Sequence, residues 1–155
     1  MIANNWDEAK KQVDDWKLSG QKIVFTNGCF DILHRGHVEY LTEAKACGDK
    51  LVTALNSDSS VRSLKGEARP IQSQEDRAVI LDALESVDLV VIFDQETPAK
   101  IIKTLLPNVL VKGGDYTPDT IVGADIVTEN GGEVKVIPFR SGQSTSGIVE
   151  KIIKL

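Results

Sequence analysis

Cysteine is scarce in this chain: only Cys29 and Cys47 occur among its 155 residues. They form neither a Cys-x-x-Cys pair nor a cluster with histidine, so the spacing typical of a redox motif or a zinc site is missing. We therefore expect a reduced, cytoplasmic protein.

Long apolar runs and an excess of basic residues are missing as well. No apolar run approaches the ~18 residues that a membrane-spanning helix needs, and residues 1–7 are too polar and acidic for a signal peptide. The chain has 18 basic and 23 acidic residues, with a formal net charge of -5. This balance argues against a broad basic surface but allows a local basic pocket for a small anion. We expect neither a nucleic-acid partner nor a membrane partner.

Short apolar segments alternate with amphipathic segments along the chain. The apolar segments are rich in Val, Ile and Leu, as in strands buried on both faces, and they span residues 22–26, 50–55, 88–93, 109–112 and 134–138. This order predicts an α/β fold: a doubly wound, Rossmann-like parallel sheet of five strands with helices on both faces. The length fits one domain, residues 1–155. Within residues 1–20 we expect a helix that packs on the core through Trp6, Ala9, Val13 and Trp16.

The predicted helices carry start signals. Ser73 and Asp76 resemble a capping box, and Thr97 followed by Pro98 predicts an N-cap with a first-turn proline. The last helix is predicted to begin near Ser144. It is expected to bury four apolar side chains: Ile148, Val149, Ile152 and Ile153.

The most informative segment, residues 28–37, lies between a predicted strand and a predicted helix and contains His34, Gly36 and His37. A helix start offers unpaired N–H groups and the positive end of the helix dipole, which attract anions. Gly36 allows close backbone approach, and two imidazoles add hydrogen-bond donors for phosphate. The alternative is a histidine pair that only caps the helix. The strand–turn–helix context favours a site for chemistry on a nucleotide.

Several further polar segments follow predicted strands directly: residues 27–37, 56–58, 113–115 and 140–146. In a doubly wound sheet, ligands bind beyond the carboxyl ends of the strands, where the strand order reverses. We expect these segments to converge on one crevice.

The His-x-Gly-His pattern of residues 34–37 resembles the signature of the HxGH nucleotidyltransferase superfamily, which includes cytidylyltransferases and several adenylyltransferases. Class I aminoacyl-tRNA synthetases carry a similar motif, but they are far larger than this chain. From about residue 23 to the C-terminus, the sequence is similar to the adenylyltransferase domain of bacterial ADP-heptose synthesis in its stand-alone form, without a kinase domain. The segments that carry this similarity are residues 26–31, 56–58, 64–66, 69–70, 111–116 and 144–146.

This resemblance implies transfer of AMP from ATP to D-glycero-β-D-manno-heptose 1-phosphate, giving ADP-heptose and pyrophosphate for lipopolysaccharide core synthesis. It implies Mg²⁺ as the cofactor, held mainly by the substrate phosphates, with Asp31 as a candidate ligand. Phe139 stands where glycerol-phosphate cytidylyltransferases have an arginine, and Arg140 comes one residue later, which favours the heptose branch. The alternatives are a cytidylyltransferase acting on a small alcohol phosphate such as glycerol 3-phosphate, and a non-catalytic nucleotide-binding module. We also expect a homo-oligomer, most simply a dimer.

Position by position, the resemblance assigns roles to residues of this sequence. The predicted catalytic residues are His34, His37, Lys45 and Arg77. The predicted nucleotide contacts are Thr26, Asn27, Gly28, Phe30, Asp31, Lys112, Gly114, Asp115, Ser144, Thr145 and Ser146. The predicted contacts to the acceptor substrate are Asn56, Asp58, Lys65 and Arg69.

Some of these residues also have a simpler structural interpretation. Lys45 and Lys65 could be solvated charges, and Asp31 could be an ordinary turn or helix-start residue. Ser144 could be a simple N-cap, and Gly114 could belong to a glycine turn. The sequence leaves these alternatives open.

Overall fold

The centre of the fold is a parallel sheet. The structure, a computed structural model, describes residues 1–138 and 142–155. The strands are β1 Ile23–Gly28, β2 Lys50–Asn56, β3 Leu89–Phe93, β4 Val109–Gly113 and β5 Glu133–Ile137. They form a five-stranded sheet in the order β3-β2-β1-β4-β5, and every adjacent pair is parallel. The predicted fold class is confirmed.

Helices connect the strands. They are α1 Trp6–Leu18, α2 Arg35–Lys45, α3 Asp58–Lys65, α4 Gln74–Asp82, α5 Ala99–Leu105, α6 Ala124–Glu129 and α7 Thr145–Ile153, with a 3₁₀ turn at Pro118–Thr120. The sequence analysis did not predict α3 and α6. Val61 is the buried apolar side chain of α3, and α6 has 6 residues. Neither helix is long or apolar enough to show a helical period in the sequence.

The sheet is covered on both faces. Ile23 and Phe25 point to a core shared with α1, α5 and α6, whereas Val24 between them points to a core shared with α2 and α4. All three side chains are fully buried. A strand with two covered faces has no polar face, which is why the strand sequences show no polar–apolar alternation.

The N-terminal helix packs on the first of these two cores. Ala9 and Val13 are fully buried, and Trp6 and Trp16 pack against the same core. The Trp6 indole N–H donates to the carbonyl of Ile92 at 2.9 Å. None of the helices within residues 1–138 and 142–155 has the length and apolar character to cross a membrane.

One predicted helix start is confirmed and another is wrong. The Ser73 hydroxyl caps α4 by accepting the Asp76 N–H at 3.2 Å. The N-cap of α5 is Pro98 and not Thr97, and it makes no side-chain cap bond. Pro98 takes this position because its carbonyl already accepts the N–H of Ile102 at 3.0 Å, which makes it the first carbonyl of the helix.

The predicted burial along the last helix is wrong. Ile148 and Val149 are only half-buried, and Ile152 and Ile153 are 57% and 77% exposed. The Thr145 hydroxyl ties the start of α7 to the carbonyl of Asp31 at 2.8 Å. Because exposure rises along the helix from this point, α7 is held mainly at its start.

The strand order reverses between β1 and β4, and these two strands separate there. Their register pairs are Val24 with Val109 and Phe25 with Leu110, whereas β1 pairs with β2 along its whole length. Tyr40 of α2 lies at the point of separation, and its hydroxyl donates to the carbonyl of Val111 at 3.3 Å. The opening lies at the carboxyl ends of the strands, where a doubly wound fold binds its ligand.

Candidate active site

A cavity of about 570 Å³ opens at the separation of β1 and β4. Its volume lies within the roughly 300–1,000 Å³ that small-molecule sites occupy. The structure brings these predicted site residues together around it: Asn27, Gly28, Phe30, Asp31, His34, His37, Lys65, Arg69, Lys112, Ser144, Thr145 and Ser146. The remaining predicted residues do not line it: Thr26, Lys45, Asn56, Asp58, Arg77, Gly114 and Asp115.

The two histidines stand side by side at the start of α2, in the segment 28–37 that we call the histidine turn. His34 is the N-cap, and its Nδ1 accepts the N–H of Gly36 at 3.1 Å. His37 Nδ1 accepts the N–H of His34 at 3.3 Å, and the two ring centroids are 4.0 Å apart. A neutral imidazole that accepts at Nδ1 carries its proton on Nε2. The capping interpretation therefore holds, and it leaves Nε2 of each ring as a donor.

Burial keeps these imidazoles neutral near pH 7. It lowers the pKa of His37, with added effects of His34 and Lys65, from 6.5 to about 4. Burial also lowers the pKa of His34. Both rings are therefore uncharged near pH 7, and each carries one N–H.

The backbone of the histidine turn adopts two unusual conformations. Phe30 and Ile32 have positive φ angles of 47° and 51°. A side chain there clashes with its own backbone, and the cost is about 1–3 kcal/mol per residue. Strain of this kind persists only where surrounding contacts hold it, and here those contacts converge on Asp31.

Asp31 holds the turn and is not positioned as a metal ligand. Its buried carboxylate accepts from Arg69 Nε at 2.8 Å, from the N–H of Ile71 at 2.8 Å and from the N–H of Gln72 at 3.0 Å. Burial by itself would raise the pKa of Asp31, but these donors outweigh it and hold the pKa below its ordinary value. Its side chain is 1% exposed, and both of its oxygens already accept hydrogen bonds from the protein.

Three basic side chains line the cavity. Arg69 reaches the cavity while its Nε is paired with Asp31, and its side chain is 15% exposed. Lys65 is the exposed last residue of α3. Lys112 lies near the end of β4, and its Nζ is 5.9 Å from the ring centre of Tyr116. Burial lowers the pKa of Lys112. Acidic side chains line the same cavity: Asp31, Glu39 and Glu43. The cavity therefore offers cationic groups for phosphate next to carboxylates.

Arg77 is not positioned to contact substrate. It is 1% exposed, and its guanidinium donates to the carbonyls of Gln72, Cys29 and Asn56 and pairs with Asp58 at 2.8 Å. Arg77 thus connects the histidine turn, through the carbonyl of Cys29, to groups outside it, and this contact stabilises the turn. Asn56 is buried and Asp58 is half-buried, and both are occupied as partners of Arg77 and do not line the cavity.

Lys45 lies at the opposite edge of the sheet. Its Nζ donates to the carbonyl of Asp49 at 2.6 Å and pairs with Asp88. Asp49 precedes Lys50, the first residue of β2, so Lys45 is at the amino ends of the strands. Lys45 follows His37 by about two helical turns, so its side chain lies away from the cavity.

Thr26, Gly114 and Asp115 flank the cavity without lining it. Thr26 is fully buried, with its hydroxyl 2.6 Å from that of Tyr40. Gly114 has a φ of 117° and donates to the carbonyl of Ile137 at 3.0 Å. Asp115 is exposed. The glycine-turn interpretation is therefore correct for Gly114.

The start of α7 forms a second wall of the cavity and contacts the histidine turn through the Thr145 hydroxyl. Ser144 is its N-cap, and its hydroxyl accepts the N–H of Gly147 at 3.0 Å. Ser146 contributes a further hydroxyl to the lining. Phe139 and Arg140, which carry the comparison with glycerol-phosphate cytidylyltransferases, lie outside the described residues.

The sequence analysis missed several lining residues on α2. Glu39, Tyr40 and Glu43 line the cavity together with Gly36 and His37. Their spacing of three and four residues places them on one helix face, and this signal could have found them. Burial raises the pKa of Tyr40 to about 12, so its hydroxyl keeps its proton.

The described residues do not form a metal site by themselves. Within residues 1–138 and 142–155, no group of three or more His, Cys, Asp or Glu side chains could hold a metal ion. Because the Asp31 carboxylate is buried and fully engaged, it does not fit the predicted role in magnesium binding. Mg²⁺ brought by substrate phosphates stays a prediction, and we derive no step through it.

A pair of histidines at a helix start, lining a cavity at the switch point of a doubly wound sheet, is the arrangement expected of a nucleotidyltransferase. Comparison with known sequences then gives the family. The chain belongs to the cytidylyltransferase-like family, whose sequence model matches residues 25–151.

Two relatives illustrate the similarity. The chain is 60% identical over 146 residues to the bifunctional protein HldE of Wolinella succinogenes, and the aligned segment covers 94% of this chain and 30% of the relative. It is 55% identical over 150 residues to the bifunctional protein HldE of Geobacter metallireducens, which covers 97% of this chain and 31% of the relative. The chain thus spans less than a third of the length of these curated relatives.

Solved structures agree with the fold. The lipopolysaccharide core biosynthesis protein of Thermoplasma volcanium superposes with a TM-score of 0.64 at 28% identity, over 80% of this chain and 100% of that one. The pantoate-beta-alanine ligase of Francisella tularensis also gives a TM-score of 0.64, at 16% identity, over 95% of this chain and 69% of that one. The second likeness concerns the fold alone.

Proposed function

We propose that this chain transfers AMP from ATP to D-glycero-β-D-manno-heptose 1-phosphate and releases pyrophosphate. The observation that carries the proposal is the histidine pair, whose Nδ1 atoms are engaged in the cap of α2 while the rings line a cavity that Lys65, Arg69 and Lys112 also line. The sequence resemblance to the ADP-heptose branch supports the heptose acceptor. So does the likeness to a protein described as acting in lipopolysaccharide core biosynthesis.

In the proposed reaction, a phosphate oxygen of the sugar 1-phosphate attacks the α-phosphorus of ATP. A new P–O bond forms, and the bond from the α-phosphorus to the oxygen bridging to the β-phosphorus breaks. Pyrophosphate leaves with that electron pair. The nucleophile is already anionic near neutral pH, so the protein supplies no general base. Its contribution is positioning and charge stabilisation.

The two walls of the cavity divide this work. On one wall, the Nε2–H groups of His34 and His37 donate to phosphate oxygens whose negative charge grows in the transition state. On the other wall, the start of α7 supplies free N–H groups and hydroxyls, as helix starts do for phosphates. Lys65 and Arg69 also line the cavity, and they neutralise charge on the triphosphate and on the acceptor phosphate.

A second candidate is a cytidylyltransferase that acts on a small alcohol phosphate, and the family match favours keeping it. The discriminating experiment measures pyrophosphate release for ATP, CTP and GTP, each combined with heptose 1-phosphate, a hexose 1-phosphate and glycerol 3-phosphate. Our proposal predicts the highest kcat/KM for ATP with heptose 1-phosphate. A preference for CTP with glycerol 3-phosphate would establish the second candidate. Nucleotide binding without release for any acceptor would support a non-catalytic module.

A further inference from the structure

The contacts of Gln72 point to a role that the sequence analysis did not assign. We propose that Gln72 is a positioning residue that holds the histidine turn in its active conformation. Gln72 does not line the cavity, so it acts through the turn and not on substrate. The inference rests on the proposed function for its kinetic consequence, but its structural consequence can be measured separately.

Gln72 contacts the support of the turn through three of its polar groups. Its side-chain Oε1 accepts the N–H of Ile32 at 3.1 Å. Its backbone N–H donates to the Asp31 carboxylate at 3.0 Å, and its carbonyl accepts from Arg77 Nε at 3.0 Å. One residue therefore joins the two buried charges that support the turn.

The bond to Ile32 matters because of the conformation it fixes. Ile32 is β-branched and has a φ of 51°, which its own side chain disfavours. The amide oxygen of Gln72 satisfies the Ile32 N–H in that conformation. His34 follows two residues later and is the N-cap of α2. A shift of Ile32 toward a relaxed conformation would therefore move both imidazoles.

The same loop carries one of the cavity cations. Arg69, Ile71 and Gln72 all donate to the Asp31 carboxylate. This shared carboxylate fixes the position of Arg69 relative to the histidine turn. Loss of the Gln72 amide should change the geometry between the imidazole donors and the basic side chains, which affects the transition state more than ground-state binding.

The test compares Gln72→Leu with Gln95→Leu. Gln95 is a matched control, because its Oε1 also accepts a backbone N–H, that of Asp94 at 3.3 Å, but after β3 and not in the histidine turn. We expect Gln72→Leu to lower kcat about tenfold or more, with a smaller change in KM for ATP. Gln95→Leu should keep kcat within about twofold of the parent. If Gln72→Leu does not fold, Gln72→Met gives the same comparison with an unbranched side chain.

A second measurement does not depend on activity. The ¹⁵N NMR shifts of the two imidazoles report which ring nitrogen carries the proton, and the structure predicts the Nε2–H form for both. We expect these signals to change in Gln72→Leu and to match the parent in Gln95→Leu. Unchanged imidazole signals and kcat in Gln72→Leu, or equal losses in both variants, would overturn the inference. If the parent enzyme transfers no AMP, the proposed function fails, and the imidazole comparison still decides the role of Gln72.

Discussion

At the scale of single residues, the site separates structural and chemical roles within one side chain. His34 and His37 each use Nδ1 to cap α2 and keep Nε2 for the cavity. Because the capping bond fixes both ring orientation and tautomer, the donor is preorganised before substrate arrives. Cys29 lies in the same turn, and burial raises the pKa of its thiol. The thiol therefore stays uncharged and serves only as a packing side chain.

Removal of one imidazole donor should strongly lower the turnover rate. We expect His37→Ala to lower kcat by about 10²–10³, as for loss of one transition-state donor. The variant also loses the bond from the His34 N–H to His37 Nδ1, but α2 keeps the His34 cap, so circular dichroism should show an unchanged fold. Near-normal turnover in a folded variant would remove His37 from the mechanism.

The lowered pKa of His37 makes stability depend on pH in a definite direction. Between 6.5 and about 4 the unfolded chain binds a proton that the folded chain does not. The free energy of unfolding should therefore fall as the pH is lowered through this range, with no contribution from His37 above it. Urea unfolding at about pH 7.5 and about pH 5 measures this loss, which should be smaller in His37→Gln than in the parent. Equal losses in both proteins would contradict the shift.

Lys45 provides a test of the structure against the sequence resemblance. The resemblance places it at the phosphates, whereas the structure pairs it with Asp88 at the far edge of the sheet. Lys45→Ala should leave kcat within about twofold and lower the free energy of unfolding by about 1–2 kcal/mol. A large loss of kcat without a change in stability would restore the sequence-based role.

At the scale of elements, the features that the sequence predicted correctly are those set by neighbouring residues in the chain. The apolar strands, the cap at Ser73 and the histidine turn all follow from residues close together in sequence. The support beneath the turn could not be predicted, because Arg77 reaches the carbonyl of Cys29 across 48 residues. No local spacing distinguishes such an arginine from one that binds phosphate. The exposed end of α7 was also beyond prediction, since an apolar stripe does not show what covers it.

The support beneath the turn predicts a large stability effect at Arg77. Arg77→Leu leaves the carbonyls of Cys29, Asn56 and Gln72 and the Asp58 carboxylate without their donor. We expect the free energy of unfolding to fall by roughly 3 kcal/mol or more. Arg62→Leu, at an exposed position of α3, is the matched control and should change it little. Similar small changes in both variants would contradict the supporting role.

At the scale of the whole molecule, the sheet brings distant segments to one cavity. The histidine turn follows β1, Lys112 is the penultimate residue of β4, and the start of α7 forms a second wall beside the turn. The expected dimer stays a prediction, and it would explain the exposed apolar end of α7 if that face were covered. Sedimentation of the purified chain would decide its oligomeric state.

The central claim is nucleotidyl transfer at the histidine turn, and product analysis tests it most directly. The purified chain is incubated with ATP and heptose 1-phosphate, and the products are identified by ³¹P NMR and mass spectrometry. We expect an ADP-sugar and pyrophosphate in equal amounts, both lost in His37→Ala. Formation of ADP and a doubly phosphorylated sugar, or of ADP and free phosphate, would show attack at the γ-phosphorus and rule out transfer of AMP.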